Sequence, residues 1–168
     1  MEKISLIYSF NSNKTAKVAE KIKEAFGGDN LEPINAETLT EEEFLKSKVA
    51  ILGVPTWFDG ELPNYWDEFG PILEELDLKD KTYALYGLGD QKGYPDNFLD
   101  AVGIMTGILE KRGARIVGFT STEGYNFHKS RAVRENQFTG LAIDFENQAT
   151  QNSARIKKWV EELKQQLK

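Results

Sequence analysis

Short apolar runs alternate with longer segments of helical periodicity along this chain, and that order restricts its fold more than any other feature. Ile4-Ser5-Leu6-Ile7-Tyr8 reads as a buried strand, and a polar loop at 9–13 follows it. Val18, Ile22, Ala25 and Phe26 recur at helical spacing through 15–26, and Gly27-Gly28 stops that helix. Residues 31–34 form a weaker strand. Thr40 with Glu43 spells a capping box that opens a short helix over 41–46. Val49-Ala50-Ile51-Leu52 is continuously apolar, as in a strand covered on both faces. Pro63 suits the first turn of a helix ending near Glu75. Tyr83-Ala84-Leu85-Tyr86 is a fourth strand. Residues 97–112 are helical and stop at Gly113, and 114–119 form a fifth strand. The stretch 120–138 is polar and aperiodic. Leu141-Ala142-Ile143 is a further short strand. A helix over 153–167 gathers Ile156, Trp159, Val160 and Leu163 on one face.

Strand-then-helix units in series predict an α/β fold: a doubly wound, five-stranded parallel sheet with right-handed crossovers and helices on both faces. No repeat, low-complexity tract or linker divides the chain, so 1–168 is expected to be one domain. In such sheets ligands bind beyond the carboxyl ends of the strands. The loops after the first, third and fourth strands are therefore the candidates.

Composition removes whole classes of chemistry. The chain has no cysteine, which excludes a disulfide framework, an iron–sulfur cluster and a thiol nucleophile. A single histidine excludes a multi-histidine metal site. The formal net charge of −6 disfavours nucleic acid and anionic membranes and suits a partner with a basic docking surface. No apolar run approaches the roughly 18 residues of a membrane span. Met1-Glu2-Lys3 leads straight into the first strand with no signal peptide, so a cytoplasmic location is expected.

The first loop, Ser9-Phe10-Asn11-Ser12-Asn13-Lys14-Thr15, enters a helix. Free N–H groups and a positive dipole end make such a place an anion site, with Ser12 and Thr15 adding hydroxyls. A plain N-cap would account for one of these residues equally well. Lys14-Thr15 resembles the end of a P-loop, but Tyr8 and Asn13 occupy both glycine positions, which argues against a nucleoside triphosphatase. The second loop runs from Gly53 to Pro63 and carries Trp57-Phe58. An aromatic there serves as a stacking wall for a planar ligand, or plugs the core edge. The third, Gly87-Leu88-Gly89-Asp90-Gln91-Lys92-Gly93-Tyr94-Pro95-Asp96-Asn97, has glycines that allow close backbone approach, and a second loop aromatic in Tyr94. Its spacing is not a dinucleotide fingerprint. Two aromatics on separate loops are placed to enclose a flat ring. His128, beside Lys129, reads as a solvated surface residue, and Lys129, Arg131 and Arg134 form a small basic patch.

These loops resemble those of the flavodoxin family, in its long-chain cyanobacterial and algal type, and the resemblance covers essentially the whole chain. It is carried by Gly53-Val54-Pro55-Thr56-Trp57 with Gly60-Glu61-Leu62 and by Gly87 to Phe98. Ser121-Thr122-Glu123-Gly124-Tyr125, and Gly140 to Asp144 with Asn147-Gln148, add to it, and 120–138 matches the insertion that splits the fifth strand. The resemblance implies strand order 2-1-3-4-5 and one noncovalent FMN. It places the phosphate on the first loop, held by Ser12, Asn13, Lys14 and Thr15, with Phe10 and Asn11 of the same loop as further cofactor-binding candidates. It places the isoalloxazine between Trp57 and Tyr94, with the backbone around Phe58, Asp59 and Gly60 at N5, and counts Pro55 and Thr56 among the cofactor-binding candidates. Gly89 and Asp90 are implied to meet the pyrimidine edge, and Leu88, Asn97 and Glu146 are further candidates near the site. Three positions depart from the family pattern: Phe10 removes a hydroxyl, Asn13 replaces a glycine, and Phe58 replaces a residue that is often polar.

The function so implied is low-potential one-electron transfer between the semiquinone and hydroquinone of FMN, with no catalytic residue and no metal. Implied partners are photosystem I, ferredoxin–NADP reductase and other ferredoxin-dependent oxidoreductases, met by a monomer standing in for ferredoxin. The alternatives are an FMN-dependent NAD(P)H quinone reductase and a flavin-free binding module of the same fold. A phosphoreceiver domain is disfavoured, because the first strand ends Tyr8-Ser9-Phe10 and the third ends Gly53-Val54, without the needed carboxylates.

Overall fold

A computed structural model of the chain describes residues 2–168. Strand β1 (Ile4–Tyr8) is buried along its whole length, because strands flank both its edges and helices cover both its faces. Its neighbours are β2 (Leu31–Asn35) and β3 (Val49–Gly53). β4 (Thr82–Leu88) pairs with the far edge of β3. β5 (Arg115–Val117) completes the order β2-β1-β3-β4-β5, all parallel: the parallel sheet is the one the strand–helix alternation predicts, and the order is the one the resemblance implies.

The fifth position holds two strands end to end. β5 pairs with Thr82 to Ala84, and β9 (Leu141–Ile143) pairs in parallel with Tyr86 to Leu88 further along the same strand. The sequence predicts a fifth strand to residue 119, but it ends two residues sooner. Gly118 takes φ +81°, and a Cβ there would lie 2.9 Å from Trp159 Nε1. The chain turns out of the sheet at that point, and Gly118 accepts the Trp159 indole N–H at 2.8 Å. Between the two halves, β6 (Thr120–Ser121), β7 (Val133–Arg134) and β8 (Gln137–Phe138) make a small antiparallel sheet in the order β6-β8-β7. Strands of two residues carry no readable periodicity, which is why 120–138 looks featureless in the sequence.

Helices α1 (Asn13–Phe26) and α6 (Asn152–Gln166) cover one face, where Val18, Ile22, Ile156, Trp159 and Val160 pack on Leu6, Ile51 and Ala84. α2 (Glu41–Leu45), α3 (Asn64–Leu73) and α4 (Asp100–Lys111) cover the other, around Phe44, Trp66, Phe69, Val102 and Met105. The Thr40–Glu43 capping box is present in both directions. Pro63 stands just before α3 rather than inside its first turn, and its carbonyl accepts the N–H groups of Trp66 and Asp67 at 3.0 Å. α4 starts three residues later than its periodicity predicts. Leu99 sits at φ +62°, which leaves Asn97 and Phe98 in the preceding turn. A one-turn helix, α5 (Phe145–Gln148), follows β9 and is too short to be read from periodicity.

Candidate functional site

The loops after β1, β3 and β4 meet at the carboxyl edge of the sheet. The first begins at Ser9, and Ser12 is the N-cap residue of α1. The Ser12 hydroxyl does not cap the helix; it donates to the Thr15 hydroxyl at 2.9 Å. No acidic side chain occupies the first turn. The N–H groups of Asn13, Lys14 and Thr15 therefore lack protein partners among the described residues, at the positive end of the helix dipole. That is a cradle suited to a phosphate.

The second loop folds back on itself. Trp57 and Glu61 exchange backbone hydrogen bonds at 2.8 and 2.7 Å, so 58–60 form a closed tip. Phe58 is held at φ +49° with 74% of its surface exposed, and Gly60 takes φ +96°. A Cβ on Gly60 would stand 2.6 Å from Asp100 Oδ2 and 2.9 Å from Asn97 Nδ2. Only glycine fits that place and that backbone conformation together. The carbonyls of Phe58, Asp59 and Gly60 have no protein donor among the described residues. Trp57 stands edge-on to Tyr65, with centroids 5.8 Å apart, which fixes its ring plane.

The third loop turns on Asp90. Its Oδ1 accepts the N–H groups of Gly93 at 2.8 Å and Lys92 at 3.1 Å, and the Asn147 amide at 2.8 Å. These donors, the Gly93 N–H first, hold the Asp90 carboxyl below the usual aspartate range. Tyr94 projects from this loop half exposed, with its N–H bonded to the Asp90 carbonyl at 2.9 Å.

Trp57 and Tyr94 line one cavity of about 420 Å³, together with Thr56, Phe58, Gly89, Asp90, Asn97 and Phe98. Its size falls within the usual range for small-molecule sites. An aromatic wall on each of two loops, an open space between them, and an uncapped helix start beyond fit a planar ring that carries a phosphate. The residues present therefore fit FMN.

Not every residue expected at the site lines that cavity. Phe10 lies against Tyr8, ring centroids 5.0 Å apart, with its N–H on Asn35 Oδ1. Asn11 donates its amide to Glu37 at 2.6 Å. Thr56 and Asn97 do line it, but their polar groups have protein partners: the Thr56 hydroxyl accepts the Ala101 N–H at 3.1 Å, and Asn97 donates to Asp100 Oδ2 at 3.2 Å. Pro55 is buried two residues beyond β3, and Leu88 closes β4. Glu146, on α5, is ion-paired with Lys14. His128 is exposed as expected, 3.1 Å from Asp96, and Arg134 of the basic patch is paired with Glu110.

The sequence reading gave no role to Gln91, Asp144 and Asn147. Asp144 is fully buried at the end of β9, and it receives the Gln91 N–H and amide at 3.1 and 2.8 Å. Asn147 donates its own N–H and amide to the same carboxylate at 3.0 and 2.9 Å. The available signal was the resemblance at Asp144 and Asn147-Gln148.

Comparison with known proteins points the same way. The family model described as flavodoxin matches residues 6–159. A flavodoxin from Trichodesmium erythraeum is 44% identical over 168 residues, covering 98% of this chain and 97% of that protein. One from a Nostoc species is 40% identical over 163 residues, covering 97% and 96%. The crystal structure of Fusobacterium nucleatum flavodoxin, bound to flavin mononucleotide, superposes with a TM-score of 0.93 at 30% identity, over 99% of each chain. By its sequence along nearly its whole length and by its strand order, this chain belongs to the flavodoxin family.

Proposed function

We propose that this chain binds FMN noncovalently and serves as a low-potential one-electron carrier. The observation that carries the reading is the cavity lined by both Trp57 and Tyr94, on the same sheet edge as the uncapped start of α1. When bound, FMN supplies the electron chemistry. The chain's part is to hold and tune it. The N–H groups of Asn13, Lys14 and Thr15, with the Ser12 and Thr15 hydroxyls, bind the phosphate dianion. Trp57 and Tyr94 flank the ring and keep water from its faces. The tip at 58–60 offers unpartnered carbonyls to a donor on the ring edge, and such a bond is worth about 1 kcal/mol net. The Asp90 carboxylate, kept ionised by its donors, opposes further negative charge on the ring. No acid, base or nucleophile is required.

Asp59, Glu61 and Asp96 are exposed and line a neighbouring cavity that shares Asn97 with this site. With the net charge of −6 they favour an electron-transfer partner that has a basic docking face. Ferredoxin–NADP reductase as acceptor and photosystem I as donor are the pair this reading assigns, met by a monomer in the cytoplasm. Among the described residues no helix is long and apolar enough to cross a membrane.

The experiment is relay of electrons from NADPH through ferredoxin–NADP reductase and the flavin-loaded chain to cytochrome c. The reading expects relay that depends on the chain and slows as salt is raised through the 0.1 M range, where the Debye length is about 10 Å. Direct turnover of NADPH by the chain alone would favour the reductase alternative instead.

A further inference from the structure

Three residues of α5, together with Asp144 before it, tie this turn to α1, to the Asp90 loop and to the insertion. Asp144 is the N-cap of α5. Glu146 pairs with Lys14 at the start of α1. Gln148 donates to the Gly124 carbonyl at 2.8 Å, inside the insertion between β5 and β9. Asn147 has the most telling place. Its single amide nitrogen donates to Asp90 Oδ1 at 2.8 Å and to Asp144 Oδ2 at 2.9 Å, and so bridges two carboxylates with its two N–H bonds. The far side of the same loop is held as well, because Gln91 is bonded to Asp144 and accepts the Asn126 N–H at 2.6 Å. Beneath it, Phe98 is stacked on Phe127 of the insertion at 5.3 Å.

We propose that the turn from β9 into α5 is a clasp that sets the Tyr94 loop, with Asn147 and Asp144 as positioning residues for the ring wall. This rests on the flavin-binding reading above. The physical argument is one of charge. Asp90 and Asp144 are acceptors only, and without the Asn147 amide they would face each other across an unfilled gap. Hydrogen bonds to charged groups are among the stronger ones, so the bridge has the strength to fix a loop that otherwise lies on the surface. The inserted segment then does more than lengthen the chain. It returns β9 beside β4 and so carries the clasp to the ring side of the site.

The test compares Asn147→Ala and Asn147→Asp, since Asn147 is exposed and both variants should fold. Titration of the flavin-free chain with FMN and with riboflavin separates the two halves of the site, because riboflavin lacks the phosphate. The clasp predicts that Asn147→Ala weakens both ligands by the same factor, about tenfold, as for loss of a hydrogen bond to a charged group. Asn147→Asp should weaken both further, because it adds a third carboxylate. Loss confined to FMN, unchanged affinity, or Asp binding as well as Asn would overturn the proposal. Amide exchange in the flavin-free chain gives a second readout. Asn147→Ala should speed exchange at Gly93 and Tyr94 and leave α1 unchanged; protection equal to the parent chain would also overturn it. If the parent chain binds no flavin, the functional reading fails, and the exchange result still decides the clasp.

Discussion

The Lys14 ammonium, at the start of α1, is paired with the Glu146 carboxylate on α5, across a separation of 132 residues in sequence. The pair joins the phosphate cradle to the turn that holds the ring-side loop. It also places a carboxylate beside the place a phosphate would take. Both side chains are about half exposed, so the pair is screened by solvent and salt.

Glu146→Gln should therefore tighten FMN binding, because it frees Lys14 and removes a like charge. The expected gain is small, about two- to fivefold at low salt, as for exposed pairs. It should vanish at high ionic strength. Titration at low and high salt checks this. Weaker binding would mean that Glu146 helps hold the ligand.

Trp57→Ala removes one ring wall and the edge contact to Tyr65. An aromatic stacked on a planar heterocycle contributes about 1–3 kcal/mol. FMN affinity should fall by about tenfold or more, while Trp57→Phe should keep most of it. Flavin fluorescence gives the constants. Equal affinity for Trp57→Ala and the parent chain would remove Trp57 from the site.

Gly60→Ala places a methyl group 2.6 Å from Asp100 Oδ2 in a backbone region that alanine avoids. The tip at 58–60 must then shift, at a cost of roughly 1–3 kcal/mol. Under the proposed function its carbonyls, which have no protein donor among the described residues, bond to the flavin edge, so the separation between the two one-electron midpoint potentials should change while the phosphate contacts persist. Spectroelectrochemical titration reads both potentials. Unchanged potentials would detach the tip from the redox tuning.

Asp90 gives a pH dependence with a definite sign. Its folded carboxyl lies below the ordinary aspartate value, chiefly through the Gly93 N–H. It therefore adds stability above the unfolded value, about pH 4, and that contribution is lost as the pH falls through the lower folded value. Asp90→Asn should abolish that part of the acid response. The carboxyl titration followed by NMR is the check, and a value at or above that of an unfolded aspartate would contradict it.

The succession of strands and helices was legible because most strands are apolar runs and most helices repeat their apolar residues at fixed spacing, whereas the order of the strands in the sheet came from the family resemblance. Leu6, Ile51 and Leu85, all buried, are such signals. That Trp57 and Tyr94 line one cavity, and that α1 starts without a side-chain cap at Ser12, was legible in part because these residues lie in loops at the carboxyl edge of the sheet. The clasp was not. Asp144, Asn147 and Asp90 meet through side-chain hydrogen bonds between distant segments, and α5 is four residues long. Nor does periodicity reveal that Leu99 takes a positive φ and delays α4, since tertiary packing sets that conformation.

The most direct measurement is titration of the flavin-free chain with FMN, followed by flavin fluorescence. This account predicts stoichiometric, near-complete quenching as the ring enters between Trp57 and Tyr94, with riboflavin bound more weakly because it leaves the α1 cradle unused. Fluorescence that stays at the level of free FMN at equimolar chain would contradict it.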